Sequence, residues 1–215
     1  MDLKTLNKEY LPLSPEERLE KLFSEYDDIL FTSSFGTTAG ILLYYVHLIR
    51  PNHTVYFLDT TYHFQETIEY KEQLQDKFNL KVVDILPEDW KNEFTKTDKT
   101  WTKDPDLCCS INKTEPMEKL KEGKKIWLSG LMSYQNKYRS NLDLFTKSGN
   151  LIKFHPILDI TQDQKEAIFR DNNIPHHPLE SKGYGSIGCA QCTVKGKGRA
   201  GRWASSGKTE CGLHL

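Results

Sequence analysis

The chain lacks an apolar run near the roughly 20 residues that a bilayer-spanning helix needs. It also lacks a basic-then-apolar stretch ahead of Leu11 of the kind a secretory leader carries. These absences argue against a helical membrane anchor and an export signal, and they predict a cytoplasmic protein. An excess of either charge is missing too: 29 basic and 30 acidic side chains leave a formal net charge of -1. No overall field therefore favours nucleic acid, a membrane surface or a polyanionic partner, and any anionic ligand must be read locally. Internal repeats and low-complexity tracts are absent. Cysteine is scarce and odd in number, five in all with one almost at the C-terminus. In a reducing compartment that arithmetic predicts metal ligands plus one free thiol rather than disulfides.

What is present suits one packed core. A chain of 215 residues with 37% hydrophobic side chains predicts a single domain over 1–215. Ser14-Pro15-Glu16-Glu17 resembles a capping box that opens a helix running to about Tyr26. Asp28 to Ser34 reads as a buried strand, Ala39 to Ile49 as a helix on a sheet, and Thr54 to Leu58 as a second strand. The alternation continues with a helix over Glu66–Phe78, a strand over Lys81–Leu86, a helix over Pro116–Lys121 and a strand over Lys125–Ser129. Thr161 and Gln164 occupy capping-box positions of a helix that ends near Asn172, before Pro175. This pattern predicts an α/β fold with a mostly parallel sheet flanked by helices. Past His176 the periodicity fades, so about 1–180 reads as an α/β core and about 181–215 as a loop-rich segment ordered by function.

Chemistry-bearing residues cluster in that second part and at the loops of the first. Cys108-Cys109 and Cys189-Ala190-Gln191-Cys192 are two pairs that can supply four thiolates to one centre. Tetrahedral zinc is the plainer reading of a C-x-x-C pair. Adjacent cysteines diverge around a single small ion, which favours an iron-sulfur cluster, and both readings stay open on spacing alone. The fifth cysteine, Cys211, has Gly212 after it, Lys208 before it and His214 beyond. A dangling terminal thiol is the bland reading; a mobile, partly cationic setting for a nucleophilic thiolate is the functional one.

Ser33-Ser34-Phe35-Gly36-Thr37-Thr38 joins the first strand to its helix, where hydroxyls and amides can receive phosphate oxygens, although such residues cap many helices whatever they bind. Leu58-Asp59-Thr60 ends the next strand, at the sheet edge where adenosine would sit. Arg199 and Arg202 offer two forks for sulfate or phosphate oxygens, with Lys113 and Arg139 as further candidates. They belong to a stretch in which Lys195, Lys197, Arg199, Arg202 and Lys208 occur with no carboxylate between them. Gly196-Lys197-Gly198-Arg199-Ala200-Gly201 fits G-x-G-x-x-G but follows no strand and opens no helix, so it is set aside as a dinucleotide site. His176-His177 has no ligand spacing to the cysteines and reads as loop polarity.

In combination these segments resemble the sulfonucleotide reductases of sulfate assimilation, in their cysteine-pair-bearing adenylyl sulfate branch. The resemblance runs from Ser33 to His214. It is carried by Phe57-Leu58-Asp59-Thr60, Cys108-Cys109 with Lys113, Gly183 through Cys189 to Cys192-Thr193, Arg199 to Trp203, and Glu210-Cys211-Gly212-Leu213-His214. It implies an adenine nucleotide α-hydrolase-like fold, a 4Fe-4S cluster on Cys108, Cys109, Cys189 and Cys192, and Cys211 as nucleophile. It also implies that Lys113, Arg139, Arg199, Arg202 and His214 hold the phosphosulfate. Four retained cysteines point to adenylyl sulfate; the alternatives are the 3′-phosphorylated nucleotide or both. The implied reaction yields sulfite and AMP through an S-sulfocysteine resolved by thioredoxin or glutaredoxin, as a step toward cysteine biosynthesis, and a homo-oligomer is compatible with it. The chain departs from the family at Met132 and Ser133, where consecutive arginines are usual, at Asn112, where arginine is common, and at Thr37-Thr38-Ala39. Two rival expectations are a zinc-stapled ATP-dependent adenylating hydrolase, which would release pyrophosphate, and a metal-binding module whose Cys211 only docks a redox partner.

Overall fold

The computed structural model describes residues 2–204, 206, 208, 210, 212 and 213. Ser14 and Glu17 form the reciprocal capping box, the hydroxyl accepting from the Glu17 amide at 3.3 Å and the carboxylate from the Ser14 amide at 2.8 Å. This opens α2 (Pro15–Glu25), which follows a short α1 (Leu3–Tyr10) that the apolar pattern did not predict. β1 (Ile29–Ser33), α3 (Ala39–Ile49), β2 (Thr54–Leu58), α4 (Gln65–Phe78) and β3 (Lys81–Ile85) then follow the predicted alternation. Three further pieces were not predicted: α5 (Asp89–Thr97), α6 (Thr100–Lys103) and α7 (Pro105–Cys109). α7 runs through a π-helical turn at Ser110–Thr114 into α8 (Glu115–Lys121).

β4 (Ile126–Leu128) is buried at every residue and pairs in parallel with β1. A hairpin of β5 (Phe145–Ser148) and β6 (Leu151–Phe154) was also not predicted; its tight turn places Gly149 at φ +60°, the left-handed backbone such turns require. The sheet order is β3-β2-β1-β4-β6-β5, parallel except for β5. The Thr161–Gln164 capping box starts α9 (Gln162–Asp171), and beyond it only a short 3-10 turn at Ala190–Cys192 interrupts loops among the described residues.

Both sheet faces are covered, as parallel strands require. Phe31, Leu42, Val55, Phe57, Leu128 and Phe154 form the centre of one continuous core. Gly40 on α3 lets that helix close against the end of α9, because a Cβ there would meet Ile174 at 2.6 Å. Buried Arg18 binds the carbonyls of Tyr10, Leu11 and Pro156 at 3.1, 2.9 and 2.8 Å, and it pairs with Asp159 at 2.6 Å. That single guanidinium ties α1 and α2 to the chain leaving β6. Asn7 covers the free edge of β5, its amide donating to the Phe145 carbonyl at 3.1 Å and accepting from the Phe145 amide at 2.8 Å. His177, expected as loop polarity, is buried with Nε2 3.1 Å from the Thr67 hydroxyl. Its burial follows from packing against Tyr70, with ring centroids 4.9 Å apart.

Candidate active site

β1 has β2 on one side and β4 on the other, so the connections leaving β1 and β4 diverge and open a crevice beyond their carboxyl ends. In open α/β sheets such a switch point is where ligands bind. Here it is a cavity of about 710 Å³ lined by the β1 end, the start of α3 and the chain after β4. Ser33, Ser34, Gly36, Leu58, Lys113, Arg139, Arg199 and Arg202, substrate-binding candidates named from the sequence, all line it. Asp59 is not among the lining residues; its carboxylate instead accepts from the Thr61 amide at 2.8 Å. That turn holds Thr61 at φ 62° and directs the chain toward Tyr62 and His63. Cys211 and His214 lie outside the described residues.

The loop from Ser33 to Thr38 borders the cavity along its whole length except at Phe35. Ser33 accepts from the Phe35 amide at 3.2 Å, and Phe35, fully buried, takes a left-handed φ of 47°. Thr38 makes no capping bond to α3, so the helix N-terminus meets the cavity without a side chain closing it. A helix N-terminus presenting amides to a cavity favours phosphate oxygens.

The four cysteines come together from both ends of the fold. Asp104 caps α7, accepting from the Asp106 and Leu107 amides at 3.1 and 2.9 Å, and so presents Cys108 and Cys109 at the helix end. The second pair is fastened to the loop after β2: the Ala190 amide donates to the Tyr62 carbonyl at 2.7 Å, beside the His63–Cys189 bridge. The Trp203 amide donates to the Cys192 carbonyl at 2.8 Å. Cys108, Cys109, Cys189 and Cys192 ring one small cavity beside the first, and none of them is in a disulfide. Among the described residues, no group of three or more His, Cys, Asp or Glu side chains is drawn onto a single point as ligands of one ion.

The electrostatics of that ring favour a cationic occupant. Burial, reinforced by the neighbouring cysteines, pushes Cys108 up to about 12 and Cys192 up to about 11. Burial also opposes ionisation of Cys189, yet the Lys113 charge, the Thr60 hydroxyl 3.4 Å from its Sγ, and Arg202 together hold it below the usual thiol range. Three buried thiols and a half-buried one that repel one another as thiolates are a donor set that iron or zinc would relieve, because a coordinated thiol is deprotonated outright. The residues therefore fit a tetrathiolate centre. Asn112 stands where charge was expected, buried behind the ring; its amide donates to the Cys108 carbonyl at 2.9 Å and lies 3.7 Å from the Cys108 Sγ.

Lys113 and Arg202 line both cavities and so form the wall between thiols and crevice. Arg202 is held flat: its guanidinium lies 4.3 Å from the Trp203 ring centre and donates to the Ile187 carbonyl at 2.9 Å. A Cβ on Gly188 would stand 2.2 Å from that guanidinium, so any other residue there would push Arg202 out of this position.

Among the lining residues that the sequence reading did not name as site residues are His63 and Glu210. His63 sits with Nε2 3.1 Å from the Leu58 carbonyl, and burial pushes it down to about 4, so it is neutral at physiological pH. Glu210 is clamped by Arg139, whose Nε and Nη2 lie at 2.7 and 3.0 Å, by Arg199 at 3.0 Å and by Asn136 at 2.8 Å. Its place inside Glu210-Cys211-Gly212 was visible, but its partners were not.

A mostly parallel sheet with a crevice at the β1/β4 switch point, beside the loop that leads into α3, is an adenine nucleotide α-hydrolase-like fold. Solved structures with that fold are similar to this chain. Phosphoadenylyl-sulfate reductase from Candida auris matches with a TM-score of 0.79 at 24% identity, covering 90% of this chain and 98% of that one. FMN adenylyltransferase from Candida glabrata matches at 0.60 and 15%, covering 88% and 72%. The model of the phosphoadenosine phosphosulfate reductase domain matches residues 28–195. An adenosine 5′-phosphosulfate reductase from Bacillus mycoides is 37% identical over 203 residues, covering 90% of this chain and 87% of the relative. The chain belongs to the phosphoadenosine phosphosulfate reductase domain family.

Proposed function

We propose that this chain reduces adenylyl sulfate to sulfite and AMP, with Cys211 as the group that accepts the sulfonate. Membership of the family makes sulfonucleotide reduction in sulfate assimilation its activity. The observation that carries the finer reading is the shared wall: Lys113 and Arg202 face the nucleotide crevice on one side and four thiols on the other. Adenosine sits by Leu58 at the end of β2, with phosphate toward Ser33, Ser34, Gly36 and the start of α3. The sulfate reaches the cationic wall.

The barrier to this reaction is repulsion between an anionic nucleophile and an anionic substrate. Two unit charges 4 Å apart interact by about 4 kcal/mol at an effective dielectric near 20, so fixed cations at the wall change the rate by orders of magnitude. The Cys211 thiolate attacks the substrate sulfur. A sulfur–sulfur bond forms, the sulfur–oxygen bond to phosphate breaks, and that electron pair leaves with AMP. A dithiol of the thioredoxin or glutaredoxin type then attacks the Cys211 Sγ, expelling sulfite with the bonding pair, and its second thiol resolves the mixed disulfide. A 4Fe-4S cluster on Cys108, Cys109, Cys189 and Cys192 would supply a structural staple and local charge behind Lys113, since the two electrons come from the dithiol.

The reading makes residues to about 180 the nucleotide-binding core and the rest the cluster and nucleophile segment of one unit, working in the reducing cytoplasm. Incubation with adenylyl sulfate in the absence of thiol should leave one sulfonate on Cys211 by mass spectrometry, and Cys211→Ser should abolish sulfite release while keeping iron and acid-labile sulfide. Sulfite formation with Cys211 unmodified excludes the scheme. Parallel assays with the 3′-phosphorylated nucleotide decide substrate preference.

A further inference from the structure

Glu210 is the most tightly held acidic side chain of the crevice, 1% exposed and surrounded by two guanidiniums. Three nitrogens of Arg139 are engaged at once, because Nη1 also donates to the Gln135 side chain. Arg139 therefore spends its fork on the tail, although the resemblance assigns it to phosphosulfate. Arg202 and Lys113 also line the small cavity ringed by the cysteines, and no carboxylate contacts Arg202 among the described residues. The cations of the cavity thus divide into a pair that grips the tail and a pair that faces the thiols.

Other described residues of the tail are anchored on both sides of Glu210. Lys208 pairs with Asp106, beside the first cysteine pair. The Leu213 carbonyl accepts from Lys153 at 2.8 Å, and its side chain packs on Leu30, Met117 and Trp127. Glu210 is the most deeply buried charged anchor among these, and Cys211 is the next residue along the chain, so what fixes Glu210 bounds the reach of Cys211.

We propose that Glu210 is the positioning residue for the Cys211 nucleophile, its carboxylate seated on Arg139, Arg199 and Asn136 so that the chain at Glu210 is fixed at the crevice wall while Arg202 and Lys113 receive the substrate. The proposal rests on the reading of Cys211 as sulfonate acceptor. It makes Arg139 a residue that acts through the tail rather than on the nucleotide. Neutralising the carboxylate removes the charge that both arginines hold, and a nucleophile released from its attack geometry loses rate even where substrate binding is intact.

Three measurements on the intact, cluster-loaded chain test it. In single-turnover sulfonation without thiol, Glu210→Gln should slow Cys211 modification by roughly 100-fold, and Glu210→Asp should recover part of the rate. In a Cys211→Ser background the Kd for adenylyl sulfate should be the same with Glu210 or Gln. Tryptic cleavage after Lys208 should be faster in Glu210→Gln than in the parent chain. Unchanged sulfonation in Glu210→Gln overturns the proposal. Tighter nucleotide binding with faster transfer also overturns it, since the carboxylate would then be an obstacle that substrate must displace. If the parent chain takes no sulfonate, the reading of Cys211 fails by itself, and cleavage rates still decide whether Glu210 seats the tail, with equal rates overturning that role.

Discussion

The sheet and the segment after His176 are built by different physics. Between Ile29 and Phe154 the strands are held by apolar faces that alternate or run continuously into one core, with Phe145 and Phe154 stacked at 4.2 Å and Tyr10 edge-on at 4.8 Å. From Leu179 to Trp203 a meshwork of backbone bonds replaces that core. The Gly185 amide donates to the Gly196 carbonyl at 3.0 Å, the Gly196 amide to the Gly183 carbonyl at 3.0 Å and the Val194 amide to the Gly201 carbonyl at 2.9 Å. The first region supplies rigidity through burial that tolerates chemical variation. The second needs particular residues, because glycines allow its strands of loop to touch and ion pairs fix its ends. A segment of this kind can place charges at a crevice without a core of its own.

Breaking the core should have the largest effect. Phe154→Ala removes a fully buried ring and should destabilise the chain by about 3–5 kcal/mol. Denaturant titration reads that loss, while iron content below the new midpoint should stay unchanged. Equal loss of iron would mean that the two regions fold as one cooperative block. Next comes the wall that joins them: Lys113→Ala should lower the sulfonation rate by roughly 100- to 1,000-fold, measured by single-turnover mass spectrometry, with the thermal midpoint little altered. A large fall in midpoint instead would make Lys113 part of the scaffold.

The smallest effect is a pH dependence at the junction. Burial pushes His177 down to about 4 from an ordinary 6.5. The unfolded chain therefore binds the extra proton first, and stability should be complete above pH 6.5 and decline as pH falls toward 4. Replacing His177 by Gln should flatten that part of the stability profile in urea titrations at several pH values. Since burial pushes His53 and His155 in the core down in the same way, to about 4 and about 3, a residual slope should remain in the variant.

What could be read without coordinates followed from how loudly each element announces itself. The strands Ile29–Ser33 and Thr54–Leu58 carry runs of apolar and β-branched residues, and the Ser14 and Thr161 boxes mark helix starts that the structure reproduces. α5 was silent because the side chains it buries are Asn92 and Thr95, which serve a polar network rather than an apolar stripe. The β5–β6 hairpin was signalled only by Gly149-Asn150 between two short strands that hold Lys147 and Lys153. Spacing identified the four thiols as a possible set, but the Ala190–Tyr62 backbone bond and the packing of Tyr62 with Cys108 and Cys189 show how the pairs meet. Glu210 was the hardest to see, since its main partner Arg139 is 71 residues away.

The side chain of Asn7 imitates one more residue of strand by answering both the amide and the carbonyl of Phe145. Without that amide, the outer hydrogen-bonding positions at Phe145 would be bare, and bare positions on a flat edge recruit strands from other molecules. One asparagine in a short N-terminal helix thus guards against intermolecular sheet extension, and a shortened chain would owe any clumping to that lost cover rather than to a weaker interior.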